Sequence, residues 1–279
     1  MQPWIVFAIL AGLCSNLFNF LYRYILKDGE DEVAFGWFSE TIRFTTYAFF
    51  ATFSFKVSGP SYIWIILLAV GIVNIFSTFV FVKMHSFSQL SMSTIVGRTR
   101  LIWVPILAFL FLGEVLKSSQ YIGFLVLFLG LSTAVAPHKI LFDKGVRFAI
   151  LSAFLVAVMS ILAKVATPYA SIALIMAAMS FPALAFPVFM KNRRERIRKI
   201  LKGRLKLKIL TSFTNIICMY FYLLALKTGP VSLVAAIYQG MMIFSVLAGI
   251  FILKEKEDVT KKIIGSIITL CGVLLLTQT

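Results

Sequence analysis

From Pro3 to Leu26 the chain reads PWIVFAILAGLCSNLFNFLYRYIL, and its single charge, Arg23, lies close to the end. One helical crossing of a bilayer needs about 20 consecutive apolar residues, and this run exceeds that. A backbone surrounded by hydrocarbon must satisfy its own N–H and C=O groups, so a run of this length is a helix. The alternating ten-residue strands of a membrane barrel are absent. Nine similar runs follow, near 34–55, 61–82, 89–112, 119–136, 146–166, 170–190, 208–227, 231–253 and 260–277. Turn dipeptides separate several of them: Gly59-Pro60, Pro137-His138, Thr167-Pro168 and Gly229-Pro230.

Composition agrees. Of 279 residues, 60% are hydrophobic and 14% charged, and the mean hydropathy is +0.96. A soluble domain holds roughly 45–50% apolar residues. Water as the main solvent is excluded, and so are disorder, a disulfide scaffold and a secreted globular enzyme. The expectation is an all-α integral membrane protein with ten transmembrane helices and no soluble domain. No basic stretch precedes the first run and no A-x-A site follows it, so it reads as a span and not a cleaved leader. Cys14, Cys218 and Cys271 fall within predicted helices without CxxC spacing and read as small core residues.

The first run also opens an internal repeat. Phe7-Ala8-Ile9-Leu10 recurs as Phe148-Ala149-Ile150-Leu151, 141 residues on. At the same offset Arg23 maps to Lys164, Asn74-Ile75 to Asn215-Ile216, Ser91 to Ser232 and Glu114 to Glu255. Gly123 and Gly130 map to Gly265 and Gly272 at 142. The chain thus divides into two five-helix repeats, 1–141 and 142–279, within one membrane domain. Five is odd, so the second copy enters the membrane from the opposite side. That is an inverted-topology repeat, an architecture common among secondary transporters.

Net charge is +16, from 27 Lys+Arg against 11 Asp+Glu. Loops after the odd-numbered helices hold 18 of the cations; the opposite side holds three, Lys56, Lys117 and Lys227. The positive-inside rule makes the rich side cytoplasmic, with both termini outside, in a cell membrane. Segment 191–208, KNRRERIRKILKGRLKLK, has ten cations and one acid, Glu195. Ile197, Ile200 and Leu201 recur at helical spacing, so a short surface helix against anionic head groups is expected. The segment lacks interleaved aromatics and sits beside the bilayer, so nucleic acid is not the expected partner.

No enzyme signature emerges. His85 and His138 sit in no HExxH pattern and beside no Cys pair, and neither a GxSxG nor a Walker loop is present. No cofactor, no metal site and no catalytic residue are expected. Buried charge is what the sequence does show. A charge near the bilayer centre costs at least about 2.5–3.5 kcal/mol, so it faces a partner or an aqueous cavity. Arg98 and Arg100 lie near the middle of the fourth span, about 200° apart around the helix, so one faces a central cavity and the other does not. In the second span Glu40 and Arg43 share a face at i, i+3. Two readings stay open. In one, three arginines and one glutamate form a site for a carboxylate or phosphate, which Arg grips bidentately. In the other they are ion pairs locking helices 2 and 4. Glu40 is also a candidate proton carrier, because burial raises a carboxyl pKa. Asn74, Asn215, Tyr238 and Gln239 complete the candidate site; Gln239 maps onto Arg98 and Asn215 onto Asn74. Interhelical hydrogen bonding is the alternative role for these four. Arg23 and Lys164, near helix ends, read as snorkelling to the interface. Pro105, Pro182 and Pro187 are expected to bend or break their helices.

From helix 4 into helix 5 the chain carries Pro105, then Leu112-Gly113-Glu114, then Gly123 and Gly130. The second copy repeats this as Leu253-Lys254-Glu255, Gly265 and Gly272, with Val246 where the proline would map. With Arg43 in the second helix, this pattern resembles the drug/metabolite transporter superfamily, specifically its EamA-type ten-helix members. The resemblance implies two inverted five-helix bundles around a central cavity, with helices 4 and 9 near the substrate path. It implies export or exchange of a small polar metabolite by alternating access. A non-transporting receptor or structural protein is the alternative, and a membrane transferase is disfavoured by the missing motifs. Substrate identity, coupling ion, and monomer or homodimer are left open.

Overall fold

A computed structural model of the chain describes residues 2–26, 30–87, 99–134, 144–244, 246–247 and 258–277. Its apolar helices follow the hydrophobic runs. They are α1 (Pro3–Leu26), α2 (Glu32–Phe53), α3 (Tyr62–Phe87), α4 (Arg100–Leu112), α5 (Ser118–Ala134) and α6 (Lys144–Ala166). Next come α7 (Ile172–Ser180), α9 (Leu205–Thr228), α10 (Val231–Gly240) and α11 (Val259–Thr277). Between α7 and α9 lies α8 (Arg193–Lys202), short and strongly cationic. The chain is a multi-pass membrane protein. Six helices among the described residues are long and apolar enough to cross a bilayer: α1, α3, α6, α9, α11, and α7 continued to Phe189. α2 is long enough but more polar, with Glu40, Arg43 and four threonines along it.

Side-chain size sorts inward and outward. The interior is rich in alanine, with Ala8, Ala11, Ala149, Ala153 and Ala157 all buried. Large apolar residues such as Phe53, Phe111, Val188 and Phe189 stand well exposed. That suits lipid: helices gain little by burying leucine away from hydrocarbon, so small residues that let backbones approach make the contacts. α5 and α11 show it most clearly. A Cβ on Gly130 would collide with the backbone of Thr269, and one on Gly272 with the backbone of Leu127. Gly265 meets Ala134 in the same way, and Gly123 lies against Leu276. Numbers rising along α5 meet numbers falling along α11, so the pair is antiparallel.

The other main packing partners are α1 with α9, α3 with α6, α2 with α7, and α4 with both α6 and α10. α7 does not run on as one helix. It ends at Ser180, continues as a 3₁₀ turn over Phe181–Ala185 and closes with one α turn, Phe186–Phe189. Pro182 and Pro187 cause this, since each lacks the N–H that an α turn requires. Pro105, by contrast, sits inside an unbroken α4.

Two expectations are corrected here. Cys271 is exposed on α11 and is not a core residue, whereas Cys218 is buried. Lys164 does not simply snorkel but is bound by the protein. Its ammonium donates to the carbonyls of Leu226 (2.6 Å) and Gly229 (2.8 Å), capping the end of α9, because those carbonyls have no helical partner of their own. Helix starts are capped as well. The Asp31 carboxylate accepts from Val33 N and Ala34 N at the start of α2. Glu114, just beyond α4, accepts from Val231 N (2.7 Å), Ser232 N (3.2 Å) and Ser232 Oγ (2.9 Å) at the start of α10. One elbow, the α9–α10 turn, is thus held by a cation at its carbonyl end and an anion at its amide end, as the helix dipole favours.

Candidate functional site

Two polar clusters lie inside the helical bundle, and they meet at the break in α7. The first joins α2, α3 and α7. Arg43 pairs with Glu40 one helical turn away, both buried. The Arg43 Nε also donates to Ser180 Oγ (2.6 Å). Asn74 donates to the same Glu40 oxygen (3.4 Å) and to the Met179 carbonyl (2.9 Å). That carbonyl lies at the C-terminus of α7, where the 3₁₀ turn leaves it without a regular partner. Break and network therefore fit each other: α2 and α3 supply the bonds that the interrupted helix lacks.

The second cluster joins α1, α4, α6, α9 and α10. The Arg100 guanidinium lies 4.8 Å from the centre of the Tyr238 ring, a cation–π contact. The Tyr238 hydroxyl donates to Ser15 Oγ (2.8 Å), and its ring tilts against Tyr222 at 5.1 Å. Tyr222 in turn meets Ser160 Oγ at 3.0 Å. These groups wall a cavity of about 30 Å³, with Met159, Met176, Met179 and Met219 around the rest of it. That is room for about one or two waters, so the walls have closed on the space. One atom of this cluster stands out: Arg100 Nε is buried and has no hydrogen-bond partner among the described residues. A buried unsatisfied donor costs about 1–3 kcal/mol or more, so it marks a place where a partner belongs. Arg100 supplies the positive charge here, and among the described residues no acid lines the cavity.

The candidate residues therefore divide. Glu40, Arg43 and Asn74 come together in the first cluster. Arg100 and Tyr238 come together in the second. Gln239 is buried but turns to the Met242 sulfur. Asn215 is half-buried on α9 and bonds to neither cluster. Arg98 lies outside the described residues, as do Ser91, Glu255 and His138. Ser160, Ser180 and Tyr222 were not singled out from sequence. A lone hydroxyl in an apolar helix carries no spacing signal, since its meaning comes from the helix it faces.

The basic segment forms helix α8 as expected, and it is strapped to the α1–α2 connection. Arg196 grips the Asp31 carboxylate with both Nε and Nη2. Fully buried Lys208 reaches Glu30 (2.8 Å) and the Ile200 carbonyl (3.0 Å). Partial burial works against the Asp31 charge, but the guanidinium and two helix N–H groups outweigh it and hold the carboxyl below its ordinary value. Among the described residues no group of three or more His, Cys, Asp or Glu is placed to hold a metal.

The model of the EamA-like transporter family matches the chain twice, over residues 2–136 and 143–278. No functionally curated protein matches it. Among solved structures 28 chains are similar. One crystal structure, 14% identical in sequence, covers 97% of this chain and 98% of its own at a TM-score of 0.71, a likeness of fold.

Proposed function

The chain belongs to the EamA-like transporter family, and on that premise we propose that it is a secondary transporter of a small polar metabolite bearing an anionic group. It works by alternating access, as an exporter or exchanger, through the cavity beside Arg100. The observation that carries this reading is the buried Arg100 Nε, which has no partner among the described residues, on an arginine that lines a cavity where no described acid is found. A carboxylate or phosphate supplies the missing acceptor and satisfies the guanidinium bidentately. Tyr238 supports the arginine from one side, and the Tyr222 and Ser160 hydroxyls offer further polar contacts.

We read the architecture as ten spans in two inverted five-helix repeats, 1–141 and 142–279. The α5–α11 pair supports this. Adding 142 to Gly123 and Gly130 gives Gly265 and Gly272, and the contact of Gly123 with Leu276 becomes that of Gly265 with Ala134. The packing of α1 on α9 likewise exchanges with that of α6 on α3. A two-fold relation between oppositely threaded halves produces such exchanges, and it gives a transporter two equivalent ways to open. The Lys/Arg distribution supports cytoplasmic odd-numbered loops and external termini in a cell membrane. The break in α7, held by Glu40, Arg43 and Asn74, serves as the hinge. Its location where the two clusters meet links cargo to movement. Arg98, Asn215 and Gln239 keep their place along the substrate path by repeat position. Glu40 as proton carrier is tested by the pH dependence of flux in Glu40→Gln.

The deciding experiment measures thermal stabilisation and proteoliposome flux with anionic, zwitterionic and cationic metabolites. Anions stabilise the wild type, and Arg100→Ala abolishes both effects while Arg100→Lys keeps part of each. Stabilisation by cations alone, or unchanged flux in Arg100→Ala, overturns the anion site. Ligand binding without any flux favours the receptor reading.

A further inference from the structure

A groove of about 940 Å³ runs between α2, α9 and the turn from α6 into α7. Phe50, Ile217, Tyr220, Phe221 and Leu224 form its apolar wall, and the first three stand well exposed on the outer surface of α2 and α9. Lys56 and Lys227 are the charged residues that line it, and no acid does. Both are exposed, and among the described residues neither is in an ion pair. The loop count gives this side of the membrane three lysines, Lys56, Lys117 and Lys227, and two of them line one groove.

Their placement is built in. Val57 pairs with Ala170 as an isolated antiparallel bridge, Ser171 N donates to Lys56 O (3.0 Å) and Ser58 N to Tyr169 O (2.8 Å). These bonds pin Lys56 beside the α6–α7 turn. Lys227 sits in the last turn of α9, whose carbonyls Lys164 already holds. At the inner part of the groove Tyr47 donates to the Ile216 carbonyl (2.9 Å), so that backbone acceptor is satisfied and the slot stays apolar. The result has two ends. An aliphatic and aromatic trough runs along α2 and α9, and two cations stand where those helices end.

We propose that this groove binds one anionic phospholipid from the leaflet on that side. The phosphate sits between Lys56 and Lys227, and an acyl chain lies along Phe50, Ile217 and Leu224. The site is separate from the cavity at Arg100 and from the basic segment 191–208, which lies at the opposite ends of the helices. A free phosphate would use only the lysines and would leave the trough uncovered, so the two-ended shape selects a lipid.

The test uses the full chain purified in detergent, with phosphatidylglycerol and phosphatidylcholine of identical acyl chains as probes, read by native mass spectrometry. Phosphatidylglycerol binds preferentially. Each lysine near a charged lipid contributes about fivefold, so Lys56→Gln with Lys227→Gln weakens it about 30-fold. Arg198→Gln with Lys202→Gln, in the basic segment, leaves this site unchanged. Ile217→Trp, which fills the trough and keeps both lysines, also displaces the lipid. If the double variant does not fold, Lys227→Gln alone and Ile217→Trp carry the comparison. Equal retention of phosphatidylglycerol in wild type, Lys227→Gln and Ile217→Trp overturns the proposal. So does glycerol phosphate binding as tightly as the lipid, because a headgroup-only site has no need of the trough.

Discussion

Replacing Glu114 with alanine is the sharpest probe of how the two halves are joined. The side chain lies just after α4 and caps the start of α10, 117 residues away, through two backbone N–H groups and one hydroxyl. Hydrogen bonds to a charged group contribute about 1.5–3 kcal/mol each, and the helix dipole adds about 0.3–1 kcal/mol. The site is only half-buried, so water recovers part of this in the variant. We expect a net loss of about 2–3 kcal/mol, at or above the top of the range of about 0.5–2 kcal/mol for a lost N-cap, because three bonds to one charge are lost together. By the scaling of soluble domains that is a drop of about 4–12 °C in Tm. Glu114→Gln keeps the acceptor oxygen and loses the charge, so it should fall about half as far. Lys164 holds the other side of the same elbow, and the two single losses should combine less than additively in Glu114→Ala/Lys164→Ala, as coupled neighbours do. The assay is thermal unfolding of the four proteins in one detergent. A Glu114→Ala protein that melts with the wild type refutes the cap. A Gln variant that melts lower than the Ala variant refutes the account of its charge.

Three further outcomes follow from the geometry. Gly272→Val forces α11 away from the Leu127 backbone, so the variant should be trapped as misfolded or strongly destabilised material by size-exclusion chromatography, whereas Leu274→Ala, exposed on the same helix, should not. Asn74→Leu leaves the Met179 carbonyl and a Glu40 oxygen short of donors, costing about 1–3 kcal/mol and loosening the α7 break, seen as faster hydrogen exchange over 177–186. The strap on α8 depends on pH. The Asp31 carboxyl is held below its ordinary value of about 3.9, so its contribution is complete above that value and is lost as pH falls through the lower folded value. Protection over 193–202, with exchange referred to the intrinsic rate at each pH, should therefore be lower at pH 3 than at pH 6, and Asp31→Asn should show the low protection at both.

The spans, the turns between them and the duplication were legible because each depends on one-dimensional pattern. Hydrocarbon demands about 20 apolar residues per crossing whatever those residues later touch. Charge within the apolar runs was legible for the same reason, which is why Glu40, Arg43 and Arg100 stood out; the first two are buried and Arg100 is half-buried. Their partners did not stand out. Lys164 looked like a residue reaching for the interface and instead caps a helix 62 residues away. Ser180 looked like one hydroxyl in an apolar run and instead holds Arg43.

Sequence alone thus determined that this chain lives in a membrane as a bundle of helices with a few expensive charges inside. Tertiary structure decided what each described charge touches. Glu40 is occupied by Arg43 and Asn74, while Arg100 lies against Tyr238 at a closed cavity, its Nε without a hydrogen-bond partner among the described residues. The physical reason is range. Insertion energy is summed residue by residue along the chain, but a hydrogen bond forms only between atoms about 3 Å apart, and that closeness is set by how distant helices pack.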